Sequence, residues 1–386
     1  MRRISNAILP SLVLPVLMST LAAPCAFAYP PDNAAVLYYK ASLLCRIDDE
    51  MGSALHDFRK GKIELNEKIE KLVKDNREAI TTLLDACQVA NCDWGINYAR
   101  GFELMPPSYA GLRQLSTLIV AEAKIHARDG DYRTALDRCI SLHKMASHIN
   151  DRLFISHLVG ISINAMAHEC TAEMLSYATS DVKTLTWLKT QLAQIEGLPL
   201  PIGPAFDGEK QAGAVSITVD RMANVLEIGL GDEAFQKQVL EKVRAGDEAF
   251  FEKNRAIWNQ YCSGVVTAFD LPYPQAHAKL QQLYEEVSGH PNAIFMTALA
   301  PACERVCTLS VRSKTHCNAI QTALELYLTR ARTGQLPDSL PANAPRDLFS
   351  GKPFRYEKTT DGFTLHCQGK DLDKDKTYEY EFKIKK

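Results

Sequence analysis

Between residues 153 and 177, Leu153, Ile155, Leu158, Val159, Ile161, Ile163, Met166 and Leu175 place apolar side chains around most of one helix. A helix without a polar face has to be wrapped by others, which puts it at the centre of a bundle. It cannot instead span a bilayer. The stretch Leu153 to Ala167 is interrupted by His157 and Asn164 and is shorter than the roughly 20 residues a span requires. The flanking chain supplies the wrapping, because apolar residues recur at helical steps from Asp32 to about Leu299. Asp32 or Asn33 can cap the first helix, and Ile63 to Val89 resumes the period after Gly52 and Gly61. Pro106-Pro107 opens a helix carrying Leu112, Leu115, Ile119 and Ala123, which stops at Asp129-Gly130-Asp131. Ala135, Cys139, Leu142, Ala146 and Ile149 then define a partner helix, and so short a connection implies an antiparallel hairpin. The Pro- and Gly-rich segment 196–208 marks a seam, and Asp270 to Pro274 a second break.

The character changes near the C-terminus. A helix from about Pro301 to Thr333 ends at Gly334-Gln-Leu-Pro337, since Gly takes the left-handed terminal position and Pro cannot continue the helix. Phe354 to Glu357 and Phe363 to Cys367 read as strands joined through Thr359-Thr-Asp-Gly362. Tyr378, Tyr380, Phe382 and Ile384 alternate with charged residues and predict a third strand with one buried face. The expected fold is therefore mainly α. A multi-helix antiparallel bundle over residues 29–300 precedes a small α+β domain, residues 301–386, made of a long helix and a three-stranded antiparallel sheet.

Residues 1–28 read as a signal peptide, not as part of the fold. Arg2 and Arg3 precede an apolar run from Ile8 to Ala23, and Ala26-Phe27-Ala28 supplies small residues for cleavage before Tyr29. Pro24, standing before Cys25, argues against lipidation. No later run is long enough to leave a membrane span, so the expected location is periplasmic or secreted. Export permits disulfides, and loss of Cys25 makes the cysteine number even; Cys87 and Cys92 are the candidate local pair. With 44 Lys+Arg against 46 Asp+Glu and no basic block, nothing in the sequence marks a nucleic-acid surface. A chain that is 46% hydrophobic and 23% charged is also not a disordered one.

Three resemblances follow from quoted residues. Gly130, Tyr132 and Ala135 fall where a tetratricopeptide unit places its turn glycine, tyrosine and packing alanine. One copy makes a packing motif and no solenoid. Gly334-x-Leu-Pro337, Asp347-Leu-Phe-Ser-Gly-Lys-Pro353, Asp361-Gly-Phe363 and Gly369-x-Asp371 follow in the order found in type II secretion major pseudopilins. The tail is similar to their globular domain, which implies a helix on a small sheet; Leu348 departs from the usual proline. Pilus assembly is not implied, because this helix lies deep in the chain and is polar. With Cys92-Asp93-Trp94 and the Gly130-Asp-Tyr132 hairpin, the whole chain also resembles a group of exported bacterial helical proteins with no assigned activity. That resemblance implies an envelope setting.

Two constellations can carry chemistry. His157, Asn164 and His168 share one face of the apolar helix, with Ile161 between them. They can bind a ligand or metal together with Glu122, His126, His143 or His148, or simply hydrogen-bond between helices. Asp371, Asp373 and Asp375 offer hard oxygens at alternate positions, the chemistry calcium prefers. The pseudopilin resemblance also implies calcium in this part of the tail, with Asp371 at the matching position. Signature motifs of hydrolases, phosphate loops, zincins and dinucleotide sites are missing from the sequence. The expected role is a non-enzymatic binding or scaffolding component of the cell envelope that holds protein partners. The alternative is an exported metal-dependent hydrolase using the histidine stripe.

Overall fold

Short polar side chains start many of the helices in the computed structural model, which describes residues 32–218, 220–223, 233–288, 290 and 293–385. Asn33 accepts the Ala35 N–H at the head of α1 (Ala34–Leu44), Asp48 that of Met51 at α2 (Asp49–Arg59), and Asn66 those of Lys68 and Ile69 at α3 (Glu67–Asp75). Each satisfies an N–H that has no partner within its helix. Next come α4 (Arg77–Ala86), a 3₁₀ turn (Tyr98–Glu103), α5 (Tyr109–Arg128) and α6 (Tyr132–Ile149). The predicted stop between α5 and α6 is real: Gly130 adopts φ 84°, and Asp131 caps α6 through the Thr134 N–H. The predicted signal peptide lies outside the described residues.

The apolar segment forms α7 (Phe154–Leu175), which packs against α5 and α6. Ile163, Ala167 and Met174 are fully buried within it. Residues 195–202, at the expected seam, connect α8 (Val182–Gln194) to α9 (Gly203–Ser216). The chain continues through α10 (Glu233–Ala245), α11 (Glu248–Phe269) and α12 (Tyr273–Val287) to α13 (Ile294–Thr333). This last helix has 40 residues and starts seven positions before Pro301, where the sequence pattern places its beginning. Proline favours the first turn of a helix, which is why Pro301 reads as a start. Gly334, at φ 84°, ends the helix as expected.

Strands β1 (Arg355–Thr359), β2 (Gly362–His366) and β3 (Glu379–Lys383) form an antiparallel sheet in the order β1-β2-β3. Phe363 pairs with Phe382, and both rings are buried; Tyr327 of α13 lies 5.4 Å from the Phe363 ring and donates to the Lys383 carbonyl at 2.7 Å. The main chain of the tail also reaches the bundle, where Lys385 N donates to the Ser176 carbonyl at 2.9 Å. Leu136, Leu185, Leu324 and Leu365 belong to one hydrophobic core, so bundle and tail share a common interior. Asp32–Lys386 accordingly forms one compact unit.

Among the described residues the cysteines are free thiols, and this corrects the proposed Cys87–Cys92 bridge. Cys87 ends α4 with its thiol turned into the core, donating to the Ser141 carbonyl at 3.3 Å and lying 3.4 Å from the Tyr38 hydroxyl. The turn therefore points one sulfur inward instead of toward its neighbour. Cys139 and Cys170 approach to 3.2 Å between α6 and α7, well beyond the ~2.05 Å of a disulfide.

The two tail motifs are held together by one carboxylate. Asp347 is fully buried and accepts from Phe349 N, Ser350 Oγ, Gln368 N and Gly369 N at 2.7–2.9 Å. Gly369 sits so close that an added Cβ would lie 2.4 Å from the Phe349 carbonyl carbon. Asp347→Ala strands these donors, and is expected to lower stability by about 2–4 kcal/mol. Urea unfolding should show a lower midpoint at unchanged slope; an unchanged midpoint would mean that the four contacts contribute nothing net.

Candidate functional site

A surface groove runs between α7 and α13. Ile155, Leu158, Ser162, Ala165 and Glu169 line it from α7, and Ala302, Val306 and Leu309 from α13. These are steps of three and four on two packed helices, so each contributes one stripe. The groove encloses about 1250 Å³, and Ile155 is 46% exposed at its floor. From Ile155 to Glu169 the stripe is about 21 Å long at the helical rise.

Its rim is basic. Arg59 and Lys60 arrive from the end of α2, Arg113 from α5, Arg305 and Arg312 from α13, and Lys374 from the loop before β3. None of these six lies within 4 Å of a carboxylate among the described residues. Arg59 is 3.2 Å from His56 Nδ1, and the Arg312 guanidinium reaches the Tyr378 hydroxyl at 3.4 Å. Glu169 is the single acidic lining residue, and burial raises its carboxyl above the ordinary range, against the opposing field of Lys124. Such a patch attracts anions, because unpaired cations beside low-dielectric walls concentrate positive potential.

The predicted histidine stripe faces inward instead. His157, Asn164 and His168 are at most 1% exposed. Asn164 Oδ1 meets His143 Nδ1 at 2.7 Å, and its amide donates to Ser313 Oγ at 3.3 Å, which links α6, α7 and α13. His168 lies between the rings of His143 and His316, with centroids 5.1 and 4.6 Å away, and neither of its nitrogens has a hydrogen-bond partner. His157 Nδ1 meets Asn150 Oδ1 at 2.6 Å. Of the residues suggested as assistants, His143 joins the stripe and the other three go elsewhere. Glu122 pairs with Arg138 at 2.5 Å, His126 lies 3.8 Å from Asp131, and His148 meets the Tyr38 hydroxyl at 2.9 Å. The stripe is thus a buried network between helices.

The three tail aspartates diverge. Asp371 is 1% exposed and accepts from Asp373 N and Lys374 N, both at 3.1 Å, and from the Tyr378 hydroxyl at 2.7 Å. It shapes the loop from within, as a side chain bonded to its own following backbone does. Asp375 pairs with Lys370. Asp373 turns to α12, where its Oδ1 lies 3.0 Å from His277 Nε2; Glu304 Oε1 of α13 lies 2.9 Å from the same nitrogen. The sequence reading did not single out His277 or Glu304, since their separations from Asp373 match no ligand spacing. Nor did it find the groove, whose cations are scattered from Arg59 to Lys374 and leave no basic run.

Comparison of the chain with protein-family models, with curated proteins and with solved structures returns no match.

The buried imidazoles make stability depend on pH. Burial lowers His143 and His316 to about 4, and pushes His168 well below the ordinary value with the help of His316 and His143. Between pH 6.5 and 4 the unfolded chain binds protons that the folded one refuses, so stability is full above 6.5 and falls as pH drops through that window. The slope is about 1.4 kcal/mol per pH unit for each such histidine. His168→Leu removes two unpartnered nitrogens at similar volume. It is expected to raise the melting temperature at pH 5 more than at pH 7.5, and an equal change at both would show that His168 does not contribute to the slope.

Proposed function

We propose that this is an exported, non-enzymatic binding protein of the cell envelope, and that its basic groove receives an acidic amphipathic helix of a protein partner. The observation that carries the reading is the groove itself, an apolar floor rimmed by Arg59, Lys60, Arg113, Arg305, Arg312 and Lys374 with one carboxylate opposing them. An α7 stripe about 21 Å long, flanked by an α13 stripe of about 10 Å from Ala302 to Leu309, suits a helix laid lengthwise with its anchors at three- and four-residue steps. Charge on the rim would steer an acidic partner and set its register. Export is supported by Arg2, Arg3, the apolar run Ile8–Ala23 and Ala26-Phe27-Ala28. The resemblance to exported bacterial helical proteins, carried by Cys92-Asp93-Trp94 and Gly130-Asp-Tyr132, supports the envelope setting. Among the described residues no helix is long and apolar enough to cross a membrane.

A labelled peptide about 16 residues long, with Leu on one face and Glu on the other, tests the groove by fluorescence anisotropy at low salt. Saturable binding is expected, weakening with added salt and lost in the Arg305→Glu, Lys374→Glu double variant. No saturation, or equal binding by the variant, sinks the reading. Preference for vesicles of anionic phospholipid would transfer the groove to a lipid surface. Export has its own readout: the N-terminal sequence of the protein recovered from the envelope fraction is expected to begin at Tyr29, and retention of Arg2 and Arg3 would contradict processing.

A further inference from the structure

Three ligand atoms from separate parts of the chain converge beside the tail loop. His277 Nε2 lies 2.9 Å from Glu304 Oε1 and 3.0 Å from Asp373 Oδ1, and all three atoms fall within 4.8 Å of one another. Among the described residues no other group of histidine, cysteine and carboxylate side chains meets that condition. The nitrogen can carry one hydrogen, which cannot point fully at two oxygens. Two carboxylates that close also repel each other.

We propose that His277, Glu304 and Asp373 bind a divalent first-row metal ion of the zinc class. A single cation in place of the shared proton would engage all three atoms and neutralise both carboxylates. Metal–ligand bonds of about 2.0–2.2 Å at tetrahedral angles separate ligand atoms by about 3.4 Å, so each oxygen needs to move only a few tenths of an ångström away from His277 Nε2. One imidazole with two carboxylates suits zinc or manganese better than calcium, which takes six to eight oxygens. The surroundings are already organised. Gln281 Nε2 donates to Glu304 Oε1 at 3.4 Å, Asp373 N to Asp371 Oδ1 at 3.1 Å, and Leu372 N to the Tyr273 hydroxyl at 2.9 Å. Such outer contacts orient ligands before the metal arrives. The His277 side chain is 10% exposed, whereas Glu304 and Asp373 retain 25% and 26%, which leaves an entry path and room for water as a further ligand.

The full chain, stripped of metal and free of affinity tags, would be titrated with zinc chloride and separately with manganese, cobalt and calcium chlorides. One equivalent of zinc is expected to bind and raise the melting temperature, and cobalt to give a visible spectrum. His277→Gln and Asp373→Asn should each weaken zinc binding by more than about a hundredfold, beyond the range of outer-shell changes alone. Circular dichroism of the stripped variants checks that they fold, and Glu304→Gln serves as the independent variant if either does not. Absence of one-equivalent zinc or manganese binding by the folded wild type overturns the proposal. So does zinc binding that all three variants retain, or binding of calcium in preference. The titration contains no peptide, so its outcome is read separately from that of the groove.

Discussion

One helix carries most of the architecture. At 40 residues α13 extends about 60 Å, and no single core is that long. Its Cys303–Cys307 turn belongs to the core made with α9, α11 and α12, whereas Ala319–Leu328 belongs to the one shared with α6, α7, α8 and the sheet. Two hydrophobic cores are thereby fixed relative to each other by a rod, not by a linker. The groove lies on α13 between Ala302 and Arg312, where the first of these cores, through Val306, adjoins a third that contains Val159, Ile161 and Met166 of α7. A binding surface placed there inherits the stiffness of both.

The apolar α7 needs a partner that fixes its position along α13, because a dispersive interface alone is tolerant of sliding. The chain His143–Asn164–Ser313 supplies directional contacts across three helices. Register of this sort is the best attested use of buried polar groups. It has an electrostatic consequence: His143, His168 and His316 are held neutral by burial, and the interior becomes a place where protons are refused. The residues that looked most catalytic in sequence are thus occupied in aligning helices.

Local patterns were legible, and convergences were not. The cap at Asn33, the stop at Asp129-Gly130-Asp131, the helix end at Gly334 and the alternation from Tyr378 to Ile384 each depend on neighbours in sequence, and each is found in the structure. Asp373 was singled out for its carboxylate, yet its orientation toward His277 depends on where α12 lies. The groove cations belong to four separate stretches of chain, so their field is visible only once α2, α5 and α13 are assembled. The Cys87–Cys92 spacing suggested a bridge because spacing alone says nothing of which way a thiol turns, and Tyr38 and Ser141 lie on the other side.

The two sites meet at their ends. Glu304 of the metal cluster precedes Arg305 of the groove on α13, and Asp373 of the cluster precedes Lys374 of the groove on the tail loop. Adjacent residues of a helix point in directions about 100° apart, so one turn of α13 can serve both sites without sharing a side chain. On the loop, the backbone bonds to Asp371 hold residues 373 and 374 as a unit. Any interaction that fixes the Asp373 carboxylate against His277 therefore also fixes the backbone from which Lys374 reaches the groove rim. Bound metal and bound partner would then favour the same loop position. Such coupling is reciprocal: a partner that needs Lys374 in place would tighten metal binding by the factor by which metal tightens the partner.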